Sequence, residues 1–315
     1  MAQERHIAAM QVGERVEGFF ILRSAAGKVT STGKPYLSGT LSDNTGSIEF
    51  VAWDYAGPIG SGQEGSIVKM RGDVSEYRGK KQCTVLQMRL ATDADEFDRS
   101  AVIPSAPVSS SDRMQEVKTL ISGMEDEDYK KIAEAMLARH AEELERFPAA
   151  KNVHHDGVGG LLMHTGNMLR IADFLSEQYA DTVDRSLLLT GTLLHDIAKT
   201  KEFLLSPSGL VTDYSLEGML VGHLVLGAQE VAELAAALGV PEEKSVLLQH
   251  LILSHHGEPE FGAAVRPAVA EAELLSLIDL IDSRMEIYRK TFLEVPEGKF
   301  SGRVYALDKK IYRHS

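Results

Sequence analysis

Cysteine occurs once in 315 residues, at Cys83. A single thiol forms no intrachain disulfide, and no thiolate metal site is available. Aromatic residues make up only 6% of the chain, with one tryptophan, Trp53. No apolar run reaches the ~18 residues that a membrane helix needs. The opening residues, "MAQERHIAAMQVGERVEG", have no apolar core or cleavage signal, so no secretory leader is expected. These absences predict a cytoplasmic location and no membrane partner. Basic charge is also short, and the net charge is −13. That total argues against nucleic acid as a partner, but the distribution matters more than the sum. Residues 1–99 hold 12 Lys+Arg and 13 Asp+Glu, and the remainder hold 21 and 33. The N-terminal part is nearly neutral. An acidic metal-binding part can still take phosphate, because bound ions reverse the local field.

What is present divides the chain in two, as its length suggests. Between about 12 and 92, "RVEGFFILRSA", "PYLSGTLSD", "SIEFVAWD", "SIVKMRGDVSEY" and "KQCTVLQMRLA" show strand patterning, separated by turns such as "AAGKVTSTGK" and "YRGKK". Five strands in about 80 residues predict an OB-fold barrel over 1–99. "SAVIPSAPVSSSDR", 100–113, has the composition of a linker. Beyond it the period changes to 3.6. Helices are predicted near 112–124, 126–146, 157–179, 184–199, 215–238, 242–256 and 267–291. Asp156 is an expected N-cap, and Pro267 is expected in the first turn of the last helix. The fold class is therefore α+β in two domains: a five-stranded β-barrel followed by an all-α domain over 114–315.

The helical part carries histidines inside apolar segments: "GGLLMHTGNML", "LLLTGTLLHDIAKTKEF", "EGMLVGHLVLG" and "LILSHHG". "LLSLIDLIDSRM" adds Asp279 and Asp282. A lone histidine on an apolar face is usually a core residue with one hydrogen bond, and a lone buried aspartate is often a cap or an ion-pair partner. Here five helical segments each deliver an imidazole or a carboxylate from an apolar stretch. Buried carboxylates are normally paired or metal-bound, so one shared metal centre is the simpler reading. Imidazole with carboxylate and no thiolate suits Mn, Fe, Zn, Co or Ni. His195 and Asp196 point about 100° apart on a helix and can approach an ion from two sides. Lys199 shares their face one turn on, where it can hold a phosphate oxygen. A water bridging two ions would lose its proton near neutral pH, and two ions can stabilise an in-line displacement.

An ordered His…His-Asp…His…His-His…Asp series on helices resembles the HD superfamily of metal-dependent phosphohydrolases. The resemblance implies that His164, His195, Asp196 and Asp279 bind one metal, with Asp279 preferred over Asp282 by the family's habit. It also implies that His223, His255 and His256 serve a second, with Asp196 bridging. Manganese is the expected ion, with Fe, Co, Ni and Zn as alternatives, and two ions per chain are expected. "GGLLMHT", "LLHDIAKTKE", "GHL", "ILSHHGEPEFG" and "EAELLSLIDLIDSRM", after an OB-fold and a linker, are together similar to the YhaM-type 3'→5' exoribonuclease family over nearly the whole chain. Ala198 stands where the related segment more often has glycine. "HHGEPEFGAAVRP" lacks the Gly-Tyr-Pro signature of cyclic-dinucleotide phosphodiesterases.

The resemblance implies hydrolysis of single-stranded RNA, and of single-stranded DNA as a second substrate, to nucleoside 5'-monophosphates, with Asp196 and Lys199 in catalytic roles. Arg266 and Arg284 are candidates for phosphate contact, and His154 and His155 for the substrate entrance. Single-strand binding by an OB-fold combines basic and aromatic side chains. The candidates are Lys28, Lys34, Tyr36, Phe50, Trp53, Tyr77, Arg78, Lys80 and Lys81. Alternation puts Phe50 and Trp53 on opposite faces without saying which face is core. Two other readings stay open: a phosphohydrolase of a small nucleotide with a regulatory OB-fold, and a non-catalytic nucleic-acid-binding protein. A homo-oligomer is left open, and no seam for one is legible in the sequence.

Overall fold

A computed structural model describes residues 6–92, 94–103, 109–150, 157–206 and 208–315. His154, His155 and Asp156 lie outside the described residues. The chain forms two compact units, Met1–Ser105 with Leu205–Thr212 and Leu293–Pro296, and Ala106–Leu204 with Asp213–Phe292 and Glu297–Ser315.

Five strands build the first unit: β1 (Arg15–Val29), β2 (Pro35–Asp43), β3 (Gly46–Trp53), β4 (Ile67–Tyr77) and β5 (Lys80–Leu90). They close into a barrel in the order β1-β2-β3-β5-β4, the OB-fold arrangement. β1 is longer than its sequence pattern suggests. "AAGKV" reads as part of a turn, but Ala25 to Val29 pair with Gly39 to Pro35. The long strand thereby serves two neighbours, β4 along its first half and β2 along its second. Gly39 permits the close crossing, because a Cβ there would lie 1.9 Å from the Ser24 carbonyl oxygen. Strand alternation sends Phe20, Leu22, Leu37, Leu41, Phe50, Val68, Met70 and Cys83 inward, where they form the core. Burial pushes the Cys83 thiol up to about 12, so it is not a nucleophile.

The second unit is mainly helical. The stretch 100–113 is not all linker: α1 (Arg99–Val102) and α2 (Ser110–Ser122) occupy its two ends. There follow α3 (Glu127–Arg146), α4 (Gly160–Gln178), α5 (Arg185–Leu194), α6 (Lys199–Glu202), strands β6 (Phe203–Leu205) and β7 (Val211–Tyr214), α7 (Leu216–Leu220), α8 (His223–Leu238), α9 (Glu242–Ser254) and α10 (Ala270–Glu294). The last described elements, β8 (Lys299–Val304) and β9 (Lys309–Arg313), form a hairpin in a segment with no strand prediction. Pro267 precedes α10 and is not in its first turn. Apolar faces of α2 to α5 and α8 to α10 share one core, which includes Tyr129, Met136, Leu161, Leu188, Leu251 and Leu275. Among the described residues no helix is long and apolar enough to cross a membrane.

Candidate metal centre

The centre is assembled largely from helix ends. α5 stops at Leu194, earlier than the predicted 199, and His195 occupies its C-cap. The last carbonyls of a helix lack partners within it. The His195 ring supplies one, with Nδ1 2.8 Å from the Thr192 oxygen. His255 repeats the device at the end of α9, with Nδ1 2.8 Å from the Ile252 oxygen. Each ring is tied by Nδ1, which leaves Nε2 to face the centre. His223 is placed by a break. The single helix predicted over 215–238 is two, because Gly222 takes φ 79°, a conformation suited to glycine, and α8 starts at His223. Its Nδ1 lies 3.1 Å from Glu202 Oε1, and its backbone N–H donates to the same oxygen at 3.2 Å. His164, in the first turns of α4, has Nδ1 2.7 Å from Asp282 Oδ2.

Four imidazoles therefore turn Nε2 toward one point, and Asp196 sits there. Its Oδ2 is 3.3 Å from His195 Nε2 and 3.7 Å from His164 Nε2. Its Oδ1 is 3.4 Å from His223 Nε2 and 3.7 Å from His255 Nε2. Asp279 Oδ1 lies 3.3 Å from His164 Nε2. Donor atoms of three residue sets gather within 4.8 Å of one another: His164, His195 and Asp196; His223, His255 and His256; and His195, His255 and Asp279.

These residues fit divalent ions. Ligands ~2.0–2.2 Å from one ion stand roughly 3–3.6 Å apart, close to the spacings here. Asp196 Oδ1, His223 Nε2, His255 Nε2 and His256 Nδ1 are buried with no hydrogen-bond partner among the described residues. Unsatisfied buried polar atoms are costly, and four in one place indicate a ligand. The electrostatics of Asp196 and His255 agree. Burial opposes charge on Asp196, but Lys199 and His195 outweigh it and hold the carboxyl well below the usual carboxylate range. Burial likewise opposes charge on His164, yet Asp279 and Asp282 hold its ring at about 10, so an ion taking Nε2 would displace a proton. Burial, helped by His195, keeps His255 neutral, as a ligand must be. Lys199 Nζ donates to Asp196 Oδ2 at 2.7 Å and to the Ala149 oxygen at 2.8 Å.

The structure thus brings together His164, His195, Asp196, Lys199, His223, His255, His256 and Asp279. It does not bring in His140, which bonds Glu230, or His250, which accepts from the Ala268 backbone N–H. Arg266 pairs with Glu258 at 2.8 Å, and Arg284 is exposed on α10. Sequence reasoning missed Glu202 as the support of His223. Its signal was a carboxylate in "KTKEF", next to an apolar strand.

On the barrel, Phe50 is buried and Trp53 is 56% exposed, which settles the two faces. Register aligns Lys28, Tyr36 and Trp53 across β1, β2 and β3. The Tyr36 and Trp53 rings lie 5.1 Å apart, and Lys34 reaches Asp54 at 3.3 Å. Tyr77, Arg78, Lys80 and Lys81 sit at the β4–β5 turn, and Lys81 Nζ donates to the Met10 oxygen. Because Glu49 pairs with Gln82 in parallel, that turn lies at the start of β3 and Trp53 at its end. The candidates form two groups at opposite ends of β3.

A family model described as HD domain matches residues 161–284. A second family model, TraI_2, matches 106–184 and ends before His195. The chain is 36% identical over 312 residues to the 3'-5' exoribonuclease YhaM of Listeria welshimeri, covering 98% of each. It is 37% identical over 314 residues to the 3'-5' exoribonuclease YhaM of Halalkalibacterium halodurans, covering 98% of this chain and 95% of that one. The second OB-fold domain of replication protein A from Methanococcus maripaludis is 16% identical over 30% of this chain and all of that one, with TM-score 0.24. With near-complete coverage by such relatives, the chain belongs to the YhaM family of 3'-5' exoribonucleases.

Proposed function

We propose that this chain removes nucleotides from the 3' end of single-stranded RNA, using two divalent ions, with manganese the expected metal. The observation that carries the reading is the division of Asp196, one carboxylate oxygen toward His195 and His164 and the other toward His223 and His255. His164, His195, Asp196 and Asp279 would hold one ion. His223, His255 and His256 would hold the other, with Asp196 shared. Such ions, when bound, supply Lewis acidity to phosphoryl oxygens and bring the pKa of water toward neutrality.

In the reaction a water oxygen bonds to the phosphorus of the last phosphodiester. The bond from phosphorus to the preceding 3' oxygen breaks, that oxygen takes a proton, and a nucleoside 5'-monophosphate leaves. Lys199 spends two of its three donors on Asp196 and Ala149, and its charge offsets the charge that develops on the phosphoryl oxygens. The barrel grips the strand upstream. Tyr36 and Trp53 offer stacking surfaces for bases without regard to sequence, and Lys28, Lys34, Tyr77, Arg78 and Lys80 flank the outward face of β3.

Oligoribonucleotides labelled at the 5' or the 3' end test the reading, together with metal analysis. A 5'-labelled strand should shorten stepwise, and a 3'-labelled one should release labelled mononucleotide at once. A chelator or Asp196→Ala should stop both, with oligonucleotide binding retained. Turnover of free nucleotides with no shortening of either strand would overturn it, as would full activity in Asp196→Ala.

A further inference from the structure

Behind His164 the hydrogen bonds continue outward. Asp282 Oδ1 accepts from Asn167 Nδ2 at 3.0 Å. Asn167 Oδ1 in turn accepts from Arg113 Nη2 at 3.2 Å and from Arg170 Nη2 at 3.0 Å. His164, Asn167 and Arg170 follow at three-residue spacing and share a face of α4. Arg113 comes from α2, and Asp282 from α10.

Arg113 is the unusual member. Arg170 is 54% exposed, but the Arg113 side chain is only 3% exposed. Its Nη1 donates to Glu116 at 2.7 Å, and its Nε has no hydrogen-bond partner among the described residues. Burying a guanidinium is costly, and an incompletely bonded one is a poor means of stabilising a fold. Room for it is made inside α4, where a Cβ at Gly166 would lie 2.2 Å from Arg113 Cδ. Glycine within a helix is itself unfavourable relative to alanine. Two unfavourable features therefore bring one cation to the Asn167 amide.

The amide explains the arrangement. An asparagine side chain can present either its oxygen or its NH₂ to a neighbour. Two guanidinium donors on one edge hold the oxygen there, and the NH₂ then faces Asp282. With Oδ1 receiving that donor, Asp282 presents Oδ2 to His164 Nδ1. Support of this kind behind a metal-binding histidine sets its ring orientation and which nitrogen faces the ion. We infer that Arg113 is a positioning residue for the metal centre, acting through Asn167 and Asp282 on His164. The inference rests on the two-ion reading above.

Manganese affinity of the full chain, measured by calorimetry without RNA, tests it, and thermal unfolding of the metal-free protein reports folding separately. Arg113→Met and Asn167→Ala should each weaken binding about 10-fold or more. The double variant should bind no more weakly than Asn167→Ala, because the path runs through Asn167. Wild-type affinity in folded single variants, or losses that add, would overturn the inference. If Arg113→Met does not fold, Asn167→Asp decides. It keeps an acceptor for the arginines but loses the donor to Asp282, so it should bind as weakly as Asn167→Ala; wild-type affinity there overturns the relay. A wild-type chain that binds no manganese overturns the metal reading instead, whereas binding that the variants leave unaltered overturns the relay alone.

Discussion

Asp282 stands behind His164, its Oδ2 2.7 Å from Nδ1, the ring nitrogen turned away from the centre. Asp279, three residues earlier on the same helix, has Oδ1 3.3 Å from Nε2, on the inner side. The two aspartates therefore have different expected phenotypes. Asp279→Ala should lose hydrolysis at any manganese concentration. Asp282→Ala should require about 10- to 100-fold more manganese and recover in excess metal. Rate against metal concentration checks this, and unrecoverable loss in both would contradict it.

Lys199 touches the buried Asp196 and is itself partly buried, its side chain 12% exposed. Burial alone would lower its pKa, but Asp196 raises it, so the cation persists. Lys199→Met should reduce kcat by roughly 10²- to 10³-fold, in the range for removal of one preorganised electrostatic contact. KM for a short oligoribonucleotide should change far less. A change confined to KM would place the lysine in substrate binding alone.

Trp53 is outward and Phe50 inward, so the two aromatic substitutions separate function from stability. Trp53→Ala should weaken single-stranded RNA binding by about 1–3 kcal/mol, with the melting temperature nearly unchanged. Phe50→Ala should cost about 3–5 kcal/mol of barrel stability. Filter binding and thermal unfolding of both variants make the comparison. Unaltered RNA affinity in Trp53→Ala would remove the stacking surface from the reading.

Glu230 joins α8 to its surroundings through His140 at 2.8 Å, Arg139 at 2.9 Å and Lys201 at 2.6 Å. Burial pushes its carboxyl up, but those partners outweigh burial and hold it below the usual carboxylate range. The sign follows from linkage: a depressed carboxyl stabilises fully above its unfolded value, about 4.3, and the contribution is lost as pH falls toward the folded value. Glu230→Gln should lower the urea midpoint at pH 7, at a cost of roughly 1–3 kcal/mol. The gap to the unaltered protein should narrow below pH ~4. A gap that is constant with pH would show that charge is not what the site uses.

Much of the fold was legible locally. Period-two stretches became the barrel strands, and the helical stretches became helices, because burying one face imposes the period of the element. The failures were at joints. "AAGKV" reads as a turn by its glycine, yet pairing with β2 keeps it extended. Residues 215–238 read as one helix because every residue but the glycines suits one, and the positive φ of Gly222 divides it. The helical ends of 100–113 were hidden by serine and proline. In the centre, Glu202 and Asp282 went unassigned as supports, because a residue that holds a histidine leaves no spacing rule of its own.

The sequence by itself determined the chemistry available: imidazoles and carboxylates in apolar segments, no thiolate, a strand-rich part near neutrality and an acidic helical part. Residue type and short-range period carry that information. The tertiary structure decided which atoms meet. It gave Asp196 two histidine groups, put Asp279 inside and Asp282 outside, turned Trp53 to the surface and reached Asn167 with a buried arginine. Those outcomes depend on how helices far apart in the chain pack against each other, and side-chain packing between distant segments leaves no periodic trace in either one.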